Sequence, residues 1–321
     1  MERITQYLAI KAGARIIKDS YGRATFAVVA PANSFIYREV YRESPDILFT
    51  KLSDALLAMP DGSLTDQIPS TIYIAPGVYT ETAKTVVGKE QSGLRIYFDR
   101  GAELTTSTAL TAGDGLLEIE GDSVQIAGFP LLTNSAASQT GSALIVGGSE
   151  TIEGNGDRVY IENLRIEGDA TSIDWAKTVR VRGSKNGYMK DCYLYGSAGT
   201  TQIIGLETVD SRTVTSWTLD NVNANAIGDT GNSCVPLESD VSSNYCVIKG
   251  GSYITDGAGK AMIIKGNHWL LSEGGIAGST ASIAAGSHID LQTATTIRVG
   301  QFYVKDINAN AAAALFDQTN V

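Results

Sequence analysis

From Thr71 onward, hydrophobic and polar positions alternate with a period of two, in short runs broken by Gly, Asn, Asp and Ser. The runs are LRIYF (94–98), VQIAGF (124–129), VYIENLRIEG (159–168), YMKDCYLYG (188–196), WTLDNVNA (217–224), CVIKGGSYI (246–254), WLLSEGGIAG (269–278) and IRVGQFYVKD (297–306). Most have an apolar-x-apolar start, a central polar or glycine pair, and a second apolar alternation. Helical spacing is confined to a few places. In FTKLSDALLAMP (49–60), Leu52, Ala55, Leu56 and Met59 recur at i, i+3, i+4 and i+7, Pro60 stops the helix, and Ser53 or Thr50 is the expected cap. AAAALF (311–316) reads as a last helical turn.

Aligned on the second residue of the central pair (Gly128, Asn163, Asp191, Asn221, Gly250, Glu273, Gln301), the runs are spaced by 35, 28, 30, 29, 23 and 28 residues. A repeat of this length built from short strands is the signature of a solenoid. A single coil cannot bury its apolar face, whereas stacked coils bury a continuous core and insertions go into loops. A β-sandwich also has many short strands, but its turn signals come every 8–12 residues without a superperiod. The central pairs fit corners, because Asn tolerates the left-handed conformation a corner needs. The helix before the first strand fits the end cap that a solenoid requires. The expected fold is all-β: a right-handed, single-stranded parallel β-helix over residues 66–307, an N-terminal attachment and capping region over 1–65, and a tail over 308–321.

Composition narrows the chemistry. Glycine is abundant at 34 and proline scarce at 7, with no collagen period, which suits tight turns between many strands. A net charge of −10 argues against nucleic acid as a partner. Only His268 and His288 are available for histidine chemistry. Cys192, Cys234 and Cys246 are an odd number with no close pair, so they read as buried apolar residues. No stretch approaches 18 apolar residues, and MERITQYLAIKAGARIIKDSYG lacks a signal-type apolar core. No membrane insertion and no Sec export are therefore expected, and exit from a cell would depend on another route such as lysis.

The Leu-x-x-Ala-Leu helix at 52–57, followed by Ile-Tyr-Ile-Ala-Pro-Gly-x-Tyr-x-Glu at 72–81, resembles the entry into β-helices of the pectin-lyase-like superfamily. The coil pattern extends that resemblance over roughly 71–306. The resemblance implies a fold and leaves the chemistry open, because lyases, hydrolases, esterases and inert spikes share it. A second resemblance covers the first hundred residues. GRATFAVV (22–29), a variable aromatic and acidic stretch, the Phe-x-x-Leu-x-x-Ala-Leu helix and the strand ending in Pro-Gly are similar to tailed-bacteriophage virion proteins with β-helix bodies. That likeness implies a structural role on a particle, commonly as a trimer.

Gly77-Val78-Tyr79-Thr80-Glu81 also matches the Gly-x-Tyr-x-Glu of pectin methylesterases, but their later Gln-Asp-Thr-Leu and Leu-Gly-Arg-Pro-Trp motifs are missing. Ile72 and Ile74 are then expected to face a core, Pro76-Gly77 to turn the chain, Tyr79 to pack at the turn and Glu81 to be solvated. The Asn-Thr-Asp, Asp-Asp and Gly-His-Gly motifs of polygalacturonases are absent, and Trp217-Thr218-Leu219-Asp220 echoes a pectate lyase motif without its histidine. Asp191 and Asp220 read as equivalent positions in successive coils. A carboxylate pair there would serve hydrolysis or hold Ca²⁺; the alternative is a pair of corner formers. Arg180 and Arg182 share one outward strand face and, with Arg158 and Arg165, form either a basic stripe or a solvated edge-blunting face. His268 and His288 stand isolated. Tyr188, Tyr193, Tyr195 and Trp217 suit sugar stacking, core packing or subunit contact equally. No motif calls for a cofactor or a metal.

These observations favour a non-catalytic structural protein of a tailed-phage virion, located in the capsid decoration, a head spike or fibre, or the tail. A homotrimer is expected, docked to major capsid or tail proteins through its N-terminal region, with host surface glycans as a further candidate contact. A polysaccharide lyase or hydrolase (in which Asp191, Asp220, Arg180 and Arg182 would be the candidate catalytic residues) and a carbohydrate-binding adhesin are the alternatives.

Overall fold

A computed structural model of the chain describes residues 4–13, 25–59, 70–136, 139–148, 156–167, 175–196, 200–226, 234–255, 260–278, 289–292, 296–306 and 316–317. Its strands form three sheets of eleven, nine and nine strands, here sheets I, II and III. One coil illustrates the repeat. Tyr188–Lys190 lies in sheet I, a corner at Asp191 leads to Tyr193–Gly196 in sheet II, and Gln202–Glu207 lies in sheet III. The next coil starts with Thr218–Asp220, back in sheet I. Each strand pairs in parallel with its copies in the coils on either side, residue against equivalent residue. This is the right-handed parallel β-helix, the hand that parallel crossovers take.

Alternation turns one residue in two inward. Ile161, Met189, Leu219, Ile248 and Leu271 form one interior file, Leu194, Ala224 and Tyr253 a second, and Val179, Ile204, Leu237 and Met262 a third; all are buried. Trp175, Trp217 and Trp269 are also fully buried, as are Cys192, Cys234 and Cys246. Burial pushes the Cys192 and Cys246 thiols up to about 12, which keeps them protonated and inert.

The corner between sheets I and II is left-handed in coil after coil, with φ of 90° at Gly128, 54° at Asn163, 52° at Asp191, 53° at Asn221, 69° at Gly250 and 58° at Glu273. Each is an anchor of the sequence alignment. Polar side chains suit the position because they are exposed or partly so and tolerate the conformation. Gln301, the last anchor, does not have a positive φ.

The N-terminal end is built differently. Phe26–Val29 pairs with Thr71–Ile74 and with Leu48–Phe49, extending sheet I beyond the first coil. Helix α1 (Ile4–Lys11) and helix α2 (Phe35–Glu43) border a second apolar cluster that includes Leu8, Ala9, Ala12, Phe26, Val28, Val40, Tyr73 and Ala75. Sheet I is therefore buried on both faces here, whereas Ile72 and Ile74 face the interior core as expected. Helix α3 (Leu52–Ala58) places Leu52, Ala55 and Leu56, with Met59 just beyond, in that interior core. Of the helical turn expected at 311–316, residues 311–315 lie outside the described residues; Phe316 is in a strand, with Asp317, that pairs with Ile289 and Asp290.

Candidate functional site

The Gly-x-Tyr-x-Glu stretch is the best-defined polar arrangement at the capped end. Gly77 adopts φ 149°, and a Cβ there would meet Pro31 Cγ at 2.4 Å, so this close approach admits glycine alone. Tyr79 is buried and its hydroxyl donates to the carbonyls of Ala75 (2.7 Å) and Val29 (3.1 Å). Burial holds its phenol well above the usual tyrosine range. Glu81 is not solvated, as the sequence suggested, but 4% exposed. Its Oε1 accepts from the backbone N–H groups of Leu52 (3.2 Å) and Ser53 (3.4 Å), and its Oε2 from the Ser53 hydroxyl (3.1 Å). The expected capping residues Thr50 and Ser53 do not cap α3; the N-cap position is Lys51, with no side-chain cap bond. A carboxylate from the first coil instead satisfies the helix N-terminus, where both free N–H groups and the dipole favour negative charge. The motif thus joins turn, strand and capping helix, and its two marked side chains, Tyr79 and Glu81, are committed to that task.

Two further clips hold the same end. Glu43 accepts from the N–H groups of Ile4 (3.2 Å) and Thr5 (3.1 Å) and from the Thr5 hydroxyl (2.8 Å), tying α2 to the start of α1. At the other end of α1, Lys11 reaches Asp99 Oδ2 at 2.5 Å, and the Tyr73 hydroxyl donates to the same oxygen.

Asp191 and Asp220 are not equivalent positions. Register sets Asp220 opposite Lys190 and Lys249 at the end of a sheet I strand, while Asp191 is the corner residue one place further along. Asp191 Oδ1 accepts from Asn221 Nδ2 at 2.6 Å, corner to corner, and its Oδ2 lies 3.8 Å from Lys190 Nζ. Asp220 Oδ2 accepts from the Tyr188 hydroxyl at 2.5 Å and lies 4.0 Å from Lys249 Nζ. That bond, with a smaller contribution from burial, pushes the Tyr188 phenol up to about 12. Tyr188 stacks on Tyr160, with centroids 5.6 Å apart.

The four arginines are distributed over the molecule. Arg180 and Arg182 lie in sheet III, Arg165 in sheet II, and Arg158 just before a sheet I strand. Arg180 is bound bidentately by Glu207, with Nε to Oε2 at 3.0 Å and Nη2 to Oε2 at 2.6 Å, and its Nε also lies 3.1 Å from Oε1. Its Nη1 donates to the Ala112 carbonyl at 2.9 Å, across 68 positions of sequence. Lys177 joins the same carboxylate at 2.7 Å. Burial alone would push Glu207 up, but the Arg180 and Lys177 bonds hold it below the usual carboxylate range. The Nε of Arg182 is buried without a hydrogen-bond partner. Arg158 lies 3.7 Å from Asp122, and Arg165 pairs with Glu167.

Of the aromatics, Trp217 belongs to the core, its Nε1 donating to the Ser184 carbonyl at 3.2 Å, and Trp269 does the same towards Ser243 at 3.1 Å. His268 is exposed at a left-handed position and stacks on Tyr245 at 4.6 Å; His288 lies outside the described residues. Tyr193 is exposed and Tyr195 half-buried on the outer face of sheet II. Sequence reasoning missed Asp99, Glu207 and Glu120. Burial, aided by the neighbouring Glu118 and opposed by Lys84, holds Glu120 above the usual carboxylate range. Among the described residues, no group of three or more His, Cys, Asp or Glu is placed to hold a metal ion. Among them, too, no helix is long and apolar enough to cross a membrane.

Stacked parallel sheets joined by left-handed corners define the class: a right-handed parallel β-helix with the pectin-lyase-like fold. Among solved structures, the chain is similar to the ORF18 protein of Geobacillus virus E2, with a TM-score of 0.57 and 10% identity over 84% of this chain and 56% of that one. The chain thus spans little more than half the length of that viral protein. It is also similar to the A-module of mannuronan C-5 epimerase AlgE6 from Azotobacter vinelandii, with a TM-score of 0.53 and 14% identity over 83% of this chain and 75% of that one. At such identities the likeness concerns the fold alone. No protein-family model matches the chain, and no curated protein matches it.

Proposed function

We propose that this chain is a non-catalytic structural protein of a tailed-phage virion, acting as a rigid homotrimeric spike, fibre or decoration element. The observation that carries this reading is that the candidate catalytic groups already serve the architecture. Asp191 ties one corner to the next, Asp220 holds a tyrosine hydroxyl, and Arg180 is closed on Glu207 and a backbone carbonyl. A catalytic acid or base needs a lone pair or proton directed at substrate, and bonds of this kind commit those atoms elsewhere. The resemblance of the first hundred residues to phage virion proteins, and the viral protein among similar structures, support the particle as the setting. The capped end, clipped by Glu43, Glu81 and Asp99, would dock to capsid or tail proteins. The test is to raise antibody against the chain and locate it on intact particles by gold labelling, alongside its mass in solution. Label on head or tail and a mass three times the 33.9 kDa of one chain are expected. No label on particles would overturn the virion role.

Glu120 favours a second reading, cleavage of a surface glycan. Burial beside the Glu118 carboxylate raises the proton affinity of Glu120, and a carboxyl raised in this way is the kind that serves as a general acid in glycoside cleavage. Incubation with host polysaccharides should release no reducing ends and no unsaturated products; release that is abolished by Glu120→Gln would establish this reading in place of the first.

A further inference from the structure

Between Tyr193 and Gly278, sheet II differs from the other two sheets in what it turns outward, although the same outward file continues into the exposed Arg165 of the preceding coil. Its strands Tyr193–Gly196, Asn223–Ala226, Ser252–Thr255 and Gly274–Gly278 contain no charged residue. With Leu194, Ala224 and Tyr253 pointing inward, Tyr193, Asn223, Ser252 and Gly275 form one outward file, and Tyr195, Asn225 and Ile254 form the next. Tyr193 is 47% exposed. Asn223 Oδ1 accepts from the Ser252 hydroxyl at 2.7 Å, and Asn225 Oδ1 is buried without a hydrogen-bond partner. The same coils carry charge on the other faces. Sheet I presents Glu162, Lys190, Asp220 and Lys249 in one file. Sheet III presents Arg180, Arg182, Glu207 and Glu238, with Lys177 and Lys265 paired to the acids.

Each copy of the chain carries a net charge of −10, so copies repel at a distance and bring matching charges together wherever charged faces meet. A basic partner would be drawn to an acidic surface; an uncharged face suits a partner as acidic as the chain itself. Interface centres are depleted of charge and enriched in tyrosine, which describes this face and neither of the others. We propose that the outer face of sheet II, from Tyr193 to Gly275, is where copies of this chain meet, each turning that sheet toward a common axis. Rotation about an axis parallel to the solenoid keeps every rung at its own height, so Tyr193 meets Tyr193 and the asparagine amides face one another. The proposal rests on the homotrimer reading above and names its contact surface.

Two variants and one control variant test it, with light scattering and non-reducing gels as readouts. Cys192, Cys234 and Cys246 are buried, so Ser252→Cys adds a thiol that an oxidant reaches first, with little change in side-chain size. Mild oxidation of that variant is expected to give covalent dimers from the intact assembly. Tyr193→Glu is expected to reduce the particle from the mass of three chains to that of one, while Gln125→Glu, the same charge placed on the outer face of sheet I, leaves three. A three-chain mass that survives Tyr193→Glu, with no cross-link in Ser252→Cys, would overturn this surface and leave the trimer standing. A single-chain mass for the unmodified protein would overturn both. If Tyr193→Glu fails to fold, the cross-link alone decides.

Discussion

The capped end and the body of the solenoid satisfy the same requirement by different means. In the body, each coil is held by its copies, and six successive corners from Gly128 to Glu273 repeat the same left-handed conformation, so stability comes from repetition. At the capped end there is no earlier coil to pair with. Sheet I is covered on both sides, and three carboxylates, Glu43, Glu81 and Asp99, reach across tens of positions to fix the helices. Repetition makes the body tolerant of insertions, whereas the end depends on particular atoms. Changes in the two regions should therefore differ in kind as well as in size.

The largest effect is expected in the body. Trp217 packs over Gly187, where an added Cβ would lie 2.2 Å from the indole. Trp217→Ala should cost about 3–5 kcal/mol in urea unfolding, through lost burial and the cavity left behind. Gly187→Ala should cost about 1–3 kcal/mol alone, through overpacking. Combined with Trp217→Ala it should cost less than the two singly, because the new methyl occupies the vacated space. Additive costs would mean that the two residues do not share one site.

At the capped end, Glu81→Ala should cost about 1–3 kcal/mol, because it leaves the first N–H groups of α3 without their acceptor. The local signature matters more than the total. Amides of Leu52 and Ser53 should exchange faster, while those at the Asn163 and Asn221 corners stay unchanged. Uniform loss of protection would mean that cap and body unfold as one unit, erasing the distinction drawn above.

What the sequence disclosed follows the same division. Period-two runs and the anchors at Asn163, Asp191 and Asn221 are local signals, and the structure places them at strands and corners. The capping helix was equally legible from its i, i+3, i+4, i+7 spacing. The function of Glu81 was not, since its partners lie nearly thirty positions earlier. One signal was nevertheless available: alternation from Tyr79 puts Glu81 on the same inward side. Asp220 was misjudged by one register position, which in a strand exchanges one face for the other. The outward parity of Arg180 was readable, but its closure on Glu207 and Ala112 depends on contacts that no local pattern encodes.

A smaller effect separates corner residues by chemistry. Asn163 sits at φ 54° on an exposed corner. Asn163→Ala should cost about 1 kcal/mol, because alanine pays for the left-handed conformation with no local hydrogen bond in return. Asn163→Gly should be close to neutral, as Gly128 and Gly250 already serve other coils. Thermal unfolding of both variants checks the order; equal losses would mean that the asparagine side chain, and not the backbone, holds the corner.

The smallest effect compares the two regions through acid. Burial alone would push Asp99 up, but bonds from Lys11, Tyr73 and the Arg100 amide hold it below the usual carboxylate range; Glu207 is held low in the same sense by Arg180 and Lys177. A carboxyl whose native value lies below its unfolded value, near 4, contributes stability that is complete above that value. The contribution disappears as the pH falls through the lower native value. Stability should therefore be level from neutral pH to about 5 as far as these groups are concerned, and fall below about 4. Lys11 keeps a third of its side chain in solvent, so its clip is screened and contributes the less of the two. Lys11→Met should accordingly flatten the acid response of the α1 amides in hydrogen exchange while leaving that of the Arg180 strand intact. An unchanged α1 response in that variant would show that Asp99 is held by Tyr73 and the Arg100 amide alone, and that the helix is fixed by Glu43 and its apolar face.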